Sequence, residues 1–389
     1  MVQIKEVSAK EINDSRKQKT IEVSIKTSVG NFSASAPNGK STGKYAAKIY
    51  KKSLDSDIKS LKKLSDYFSE EYMEKFEDLK RVEDIIEGHV GANTMFALES
   101  AILKAMAKKS KKQIWQIINP DAKKFPRLAG NCVGGGKHSE TEKRPDFQEF
   151  LLIPKIASPK KALEQNKKAK QKAKELLKKQ DEKFQSKKND ESAWMTSLNE
   201  KQVFDLLAKL KIPLGTDIAS AGFYKRKKYH YQNPMLDRTP EEQLFYISNL
   251  IKNSNLFYIE DPFDESDFES HAKLLKKYPK SLIVGDDLIV TNHKRLKKAI
   301  ELKAVNAIIV KPNQCGSLIE VKRVCELAKE NKIKLIFSHR SGETDETILA
   351  DIAFGFQADF FKCGIEGDIR EKKILRLIEI EKNLKSKSF

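Results

Sequence analysis

The sequence predicts an α+β domain over residues 1–125, followed by an α/β barrel of TIM type over residues 126–389. Over residues 3–36, apolar and polar residues alternate and β-branched residues are frequent, as is typical of strands. A helical block follows, and strands followed by helices favour an α+β unit. From about residue 126, short apolar runs alternate with amphipathic helices, which indicates a parallel sheet.

The amino-terminal strands are predicted from three segments, VQIKEVSAKEI, TIEVSIKTSV and NFSASAP. Gly30 lies between the last two and supplies a hairpin turn. A polar loop over residues 37–43 leads into the helical block, which runs from about 53 to 118. Within it, Met95, Leu98 and Ile102 recur at the spacing of one helix face.

The barrel is predicted from eight apolar segments: RLAGNC, FQEFLLI, IPLGTDI, LFYIED, LIVGDD, NAIIVK, KLIFSH and ADFFKC. Eight strands in about 250 residues fit a closed α/β barrel. The alternative is an open doubly wound sheet, which would require a glycine fingerprint after an early strand. The sequence has no such fingerprint.

The net charge and the distribution of the basic residues indicate which kinds of binding partner to expect. The chain has 389 residues and a net charge of +19, which attracts small anionic substrates. The lysines are spread along the chain without an arginine-rich arm or a basic–aromatic alternation, so a nucleic-acid partner is not expected. A lysine-dense helix over residues 159–188 is interpreted as a solvated outer face. A surface for an anionic partner is the alternative.

The expected location is the cytoplasm, without membrane association. No apolar run approaches the ~20 residues that cross a bilayer, and the first residues lack an apolar signal stretch. The four cysteines form no C-x-x-C pair, which favours a reducing compartment over a disulfide framework or a zinc site.

Polar or charged residues mark the ends of the apolar runs. They are Glu149, Asp217, Glu260, Asp286, Lys311, His339 and Lys362. In a parallel barrel, the carboxyl ends of all strands lie at one face, where active sites are built. One such residue alone is ordinarily a solvated strand boundary, but seven in register indicate a site. Four carboxylates in one barrel mouth require compensation, which a divalent cation would give.

Asp217, Glu260 and Asp286 are candidate metal ligands, because hard oxygen donors select Mg²⁺ or Mn²⁺ over zinc. Lys311 and Lys362 are expected opposite them. An ammonium group near another ammonium and a metal has a lowered pKa, which suits a base. These residues favour proton abstraction next to a carboxylate, with the metal stabilising the ene-diolate.

Nine segments together resemble the enolase family from about residue 4 to 380. They are NDSRKQKTIEV, APNGKSTGKYAA, GGGKHS with FQEFLLIP, GTDIASAGFY, FYIEDPFDESD, LIVGDDLIVTN, IIVKPNQCGSL, FSHRSGETDET and FFKCG. The resemblance implies an enolase-type barrel and a hydro-lyase that reversibly dehydrates 2-phospho-D-glycerate to phosphoenolpyruvate in glycolysis and gluconeogenesis. It also implies two Mg²⁺ ions per site, the second arriving with the substrate.

The resemblance assigns Asp217, Glu260 and Asp286 to the tightly held Mg²⁺. It assigns Lys311 to removal of the C2 proton and Lys362 to contact with the substrate carboxylate.

The resemblance also assigns an H-R-S group, His339, Arg340 and Ser341, in which arginine and serine bind phosphate. A bidentate guanidinium suits that task. Ser41 corresponds to a lid serine that helps to hold the second Mg²⁺. The residues at the substrate's hydroxyl end are His138 and Glu149.

Glu191 is the candidate general acid. The family carries this acid in a G-D-E-G-G loop, and residues 189–193 (NDESA) match it by position. Ser192 and Ala193 replace two glycines, so the loop backbone is expected to differ, because glycine permits positive φ. An ordinary exposed glutamate is the alternative for Glu191.

Arg16, Glu22 and Arg376 match positions at the family's dimer contact and imply a homodimer. Two other functions are weighed. An acid-sugar dehydratase would share the metal ligands but would not need the phosphate pair Arg340–Ser341. A catalytically weakened enolase-like protein with a binding role would fit the altered acid loop and the positive charge.

Overall fold

The computed structural model describes residues 1–40 and 43–386, and it confirms the predicted fold class. The amino-terminal sheet has the order β3-β2-β1-β4. Its strands are β1 (Val2–Asn13), β2 (Lys19–Thr27), β3 (Gly30–Ser35) and β4 (Tyr72–Met73). The short strand β4 was not predicted, because two residues are too few to show an alternating pattern.

Helices complete the amino-terminal domain, and the first and third of them pack on this sheet. They are α1 (Leu54–Leu64), α2 (Leu79–Ile86), α3 (Ala92–Ser110) and α4 (Ile114–Ile118). The α3 helix packs on β2 and β3 with the predicted apolar face, in which Leu98 and Ile102 are fully buried. The α1 helix begins after Ser53, whose side chain accepts a hydrogen bond from the Ser56 amide.

Eight strands close the barrel, and all eight predicted segments contain one. They are β5 (Arg127–Gly134), β6 (Glu149–Leu152), β8 (Leu214–Asp217), β12 (Tyr258–Glu260), β13 (Leu282–Gly285), β14 (Ala307–Val310), β15 (Lys334–Ser338) and β16 (Phe360–Gly364). Pairing of β16 with β5 closes the ring. Aliphatic and aromatic side chains fill its interior, among them Leu151, Ile309 and Ile336.

The prediction of a wholly parallel sheet is wrong at β6, which runs antiparallel to both β5 and β8. Antiparallel neighbours need no crossover helix, and residues 135–148 make the connection as a loop with one short 3₁₀ turn. Glu149 therefore begins its strand instead of ending it. Reversal of β6 nevertheless places Glu149 directly opposite Asp217, at the carboxyl-terminal face of the barrel.

The remaining strands lie outside the ring. They are β7 (Trp194–Met195), β9 (Tyr224–Lys225), β10 (Lys228–Gln232) and β11 (Met235–Arg238).

Helices surround the barrel. They are α5 (Pro159–Gln180), α6 (Glu200–Ala208), α7 (Pro240–Ser254), α8 (Phe268–Lys277), α9 (His293–Glu301), α10 (Pro312–Cys315), α11 (Leu318–Glu330), α12 (Ile348–Gly355) and α13 (Asp368–Ser386). The lysine-dense α5 buries Leu163, Ala173 and Leu177 and exposes most of its lysines. Within the two described ranges, no helix combines the length and the apolar character needed to cross a bilayer.

The amino-terminal domain forms one edge of the barrel mouth. Asn38 and Gly342 exchange two backbone hydrogen bonds of 2.7 and 2.8 Å. The Lys40 amide donates to the Ser341 hydroxyl over 2.7 Å. A Cβ at position 342 would overlap the Asp14 carboxylate, so this close approach requires a glycine.

Candidate active site

Three carboxylates meet at the carboxyl ends of neighbouring strands. Asp217 and Glu260 end β8 and β12, and Asp286 directly follows β13. One oxygen from each residue lies within 4.8 Å of the other two, and all three side chains are buried. Burial and the charge of Asp217 raise the pKa of Glu260 well above its usual value. A donor set of three carboxylates fits Mg²⁺ better than a softer metal.

Lys362 compensates part of this negative charge. Its Nζ lies 2.9 Å from Asp217, 2.8 Å from Glu260 and 3.2 Å from Glu149. Burial would lower the pKa of Lys362, but the surrounding carboxylates raise it well above its usual value. The cluster therefore contains a firmly protonated ammonium group.

Lys311 follows β14, and its ammonium group is ion-paired with Asp286. The predicted lowering of the Lys311 pKa is wrong for this structure. Burial does lower that pKa, but the negative charge of Asp286 raises it above its usual value. The prediction considered repulsion by neighbouring cations, whereas the nearest charge to Lys311 is a carboxylate.

The H-R-S segment follows β15 and faces the same cluster. Arg340 donates to the Asn313 side chain over 3.0 Å, and its amide donates to Glu343 over 2.8 Å. Both Arg340 and Ser341 are buried.

One small cavity, of about 30 Å³, brings nine of the predicted residues together, whereas Glu260 and Asp286 are not part of its lining. The predicted residues that line it are His138, Glu149, Glu191, Asp217, Lys311, His339, Arg340, Ser341 and Lys362. Ser41 lies outside the described residues. A larger cavity of about 820 Å³ shares Gln148 with this one and leads to the surface beside it. The structure thus places substrate-binding candidates from distant parts of the chain around one space.

Glu191 lies inside this cavity. The side chain is 3% exposed, so the alternative of an ordinary exposed glutamate is wrong. Its Oε2 accepts a hydrogen bond of 3.0 Å from Asn131, and its Oε1 lies 3.9 Å from a ring nitrogen of both His138 and His339. Burial would raise the pKa of Glu191, but the positive charges of His138 and Arg370 hold it well below its usual value.

The loop over residues 189–193, the acid loop, contains one residue in a backbone conformation that glycine adopts more readily than other residues. Ser192 has a φ of 62°, in the left-handed region, whereas Ala193 is not among the residues with positive φ. The Asn189 side chain accepts from the amides of Glu191 and Ala193, over 3.0 and 2.8 Å. A serine therefore takes up the left-handed conformation inside a loop that an asparagine organises.

The two histidines beside Glu191 have opposite electrostatic surroundings. Burial would lower the pKa of His138, but Glu191 and Asp190 raise it to about 8. Burial lowers the pKa of His339 well below its usual value. Arg370 donates to Nδ1 of His339 over 3.0 Å, so the neutral ring carries its proton on Nε2, toward Glu191.

Sequence reasoning missed several residues that support the site. Asp261 accepts from the amides of Asp286 and Asp287, over 2.9 and 2.7 Å, and so fixes the turn that carries a candidate ligand. Its position directly after Glu260 was an available signal. Arg370 comes from α13, and no spacing in the sequence connects it to His339.

Together, the fold and the site define an α/β-barrel enzyme with carboxylate and lysine groups at its mouth, capped by an α+β domain. Residues 4–118 match the family described as "Enolase, N-terminal domain", and residues 122–389 match "Enolase, C-terminal TIM barrel domain". The chain therefore belongs to the enolase family and is a lyase, a phosphopyruvate hydratase.

Archaeal relatives agree with this assignment. The enolase of Methanosphaera stadtmanae is 34% identical over 98% of this chain and 97% of its own length. The enolase of Natronomonas pharaonis is 34% identical over 98% of this chain and all of its own length. That of Pyrobaculum aerophilum is 33% identical over 93% of this chain and 90% of its own length.

Proposed function

We propose that the chain catalyses the reversible, Mg²⁺-dependent dehydration of 2-phospho-D-glycerate to phosphoenolpyruvate in glycolysis and gluconeogenesis, by lysine-mediated removal of the C2 proton. Family membership supports the dehydration itself. The observation that carries the mechanism is the convergence of three carboxylates within 4.8 Å, beside Lys311 and Lys362. A role limited to binding is the alternative, and the convergence of so many buried charged groups favours catalysis.

Asp217, Glu260 and Asp286 would hold one Mg²⁺, and Ser41 would contribute to a second that arrives with the substrate. When bound, the metal stabilises the negative charge that develops on the substrate carboxylate. Lys362 already neutralises part of the carboxylate cluster and would bind the same substrate group.

Lys311 would accept the C2 proton, for which its amine must first be neutral. Arg340 and Ser341 would bind the phosphate together with His339, as planar guanidinium geometry suits a phosphate group. Glu191 would protonate the departing hydroxide.

His138 and Glu149 would contact the hydroxyl end of the substrate. Glu191 must take up a proton before it donates one, and His138 is a protonated neighbour at 3.9 Å.

We also propose a homodimer, a cytoplasmic location and a domain boundary between residues 125 and 126. The first barrel strand begins at Arg127, which supports the boundary. The four cysteines are free thiols, as in a reducing compartment. Sedimentation or size-exclusion chromatography would test the dimer, and a monomeric mass would contradict it.

The test of the activity is a direct assay. Purified protein with Mg²⁺ and 2-phosphoglycerate should generate the ultraviolet absorbance of phosphoenolpyruvate, and EDTA should abolish it. Lys311→Ala should remove both turnover and exchange of the C2 proton with solvent. Lys297→Ala is the matched control, since Lys297 is exposed on α9. Folded protein that makes no product would favour the binding role instead.

A further inference from the structure

One buried lysine touches the acid loop from outside the cavity. Lys170, on α5, is 2% exposed. Its ammonium group donates to the Ser192 carbonyl and pairs with Glu366 at 2.7 Å. Glu366 follows β16, the strand that carries Lys362. A single ammonium group thus connects a barrel helix, the acid loop and the segment after a site-bearing strand.

The surroundings of Lys170 fix its position. Trp194, the residue after the acid loop, donates from its indole to the Lys170 carbonyl over 3.0 Å. The Lys170 ammonium also lies 5.4 Å from the centre of the Trp194 ring. Lys174 lies at a similar 5.2 Å from that ring, but no contact between Lys174 and the acid loop is seen among the described residues.

Burying an ammonium group is costly, and an ion pair in such a place is often replaceable by apolar side chains without loss of stability. Burial lowers the pKa of Lys170. The ammonium group nevertheless donates hydrogen bonds to the Ser192 carbonyl and the Glu366 carboxylate. Its contacts therefore indicate a role in fixing the loop more than a role in stabilising the fold.

Asn189 organises the same loop from within. Its oxygen accepts the amides of Glu191 and Ala193, while its amide nitrogen has no hydrogen-bond partner within residues 1–40 and 43–386. A Cβ at position 134 would overlap that nitrogen, so Gly134 makes the space for it. The oxygen of Asn189 is thus the atom that shapes the loop.

We propose that Lys170 and Asn189 are positioning residues for Glu191. This inference rests on the proposed dehydration, in which Glu191 protonates the departing hydroxide. Lys170 holds the Ser192 carbonyl and Asn189 holds the flanking amides, which together direct the Glu191 carboxyl group into the cavity between His138 and His339. Removal of the C2 proton by Lys311 does not depend on either residue.

The test separates the two chemical steps. Lys170→Met keeps the aliphatic stem and removes the ammonium group. It should lower kcat for dehydration about 10- to 100-fold, by analogy with the loss of residues that orient metal ligands. Exchange of the C2 proton with deuterated solvent, followed by NMR, and KM should change little. Lys174→Met is the control, because it removes a cation from the same indole ring without touching the loop, and it should retain wild-type kcat.

Asn189 gives an independent pair of variants. Asn189→Asp keeps the accepting oxygen and should retain most of the dehydration rate, whereas Asn189→Ala should lower that rate selectively. This pair decides the question if Lys170→Met fails to fold, as judged by circular dichroism.

Several outcomes would overturn the inference. Lys170→Met and Asn189→Ala with wild-type dehydration would do so, and so would equal losses of dehydration and exchange in folded variants. If wild-type protein makes no product, the proposed function fails and this inference fails with it. If Glu191→Gln dehydrates normally, the assignment of Glu191 as the acid fails together with this inference, whereas the proposed dehydration stands. Selective loss in Glu191→Gln with full activity in Lys170→Met and Asn189→Ala would refute the positioning role alone.

Discussion

The buried side chain of His271 should make the free energy of unfolding decrease measurably at acidic pH. The side chain lies on α8, fully buried, with its ring 5.2 Å from that of Phe263 in an edge-on arrangement. Its Nδ1 is 2.7 Å from the Asp267 carbonyl oxygen, so this nitrogen carries the proton. Its Nε2 has no hydrogen-bond partner in the described part of the chain. Burial lowers the pKa of His271 from 6.5 to about 4.

The sign of the effect follows from this lowered pKa. As the pH falls, the unfolded chain binds a proton at His271 before the folded chain does. The neutral form of His271 therefore leaves the fold at full stability above pH 6.5. The free energy of unfolding falls as the pH falls through the window from 6.5 to 4. Proton linkage with these two pKa values gives a loss of about 2 kcal/mol at pH 5 and about 3 kcal/mol below pH 4.

Urea unfolding at pH 7 and pH 5 would measure this loss. His271→Asn keeps a donor for the Asp267 carbonyl but does not titrate, so its loss of stability between these pH values should be smaller than that of wild type by about 2 kcal/mol. His89→Asn is the control, because His89 is exposed and should leave the pH dependence unchanged. Identical pH dependence in wild type and His271→Asn would refute the reasoning.

Three further predictions concern the site. Lys362→Met leaves buried carboxylates unpaired and should lower the free energy of unfolding by about 3–5 kcal/mol in urea melts, whereas Lys334→Met, at an exposed ion pair, should cost under about 1 kcal/mol. Ser192→Gly should raise that free energy by about 0.5–1 kcal/mol by relieving a left-handed φ, and Ala193→Gly should lower it. Mg²⁺ at about 100 times its Kd should stabilise wild type by about 2.7 kcal/mol, and Asp286→Asn should weaken that effect.

The sequence predicted most of the fold because each barrel strand is an apolar run bounded by polar residues. The direction of β6 could not be predicted, since a four-residue apolar run has the same pattern in either orientation. Its antiparallel pairing depends on the loop over residues 135–148, in which no periodicity marks a helix.

Convergence of the strand-end residues could be predicted because strand ends meet at one face of a barrel. The direction of the pKa shift of Lys311 could not be predicted, because it depends on which charge lies nearest to the ammonium group in space. The role of Lys170 could not be predicted from the sequence either. It stands in a run of similar lysines (KKAKQKAKE), and only the rotation of α5 against the barrel distinguishes it from its exposed neighbours.

The two backbone hydrogen bonds between Asn38 and Gly342 have a consequence for the proposed phosphate-binding end of the pocket. The Ser341 hydroxyl accepts a hydrogen bond from an amide of the amino-terminal domain, so an isolated barrel would keep its acidic cluster and lose one wall of the proposed anion subsite. Neither half could acquire that subsite by itself. A substitution on either side of this contact would therefore change the same proposed subsite.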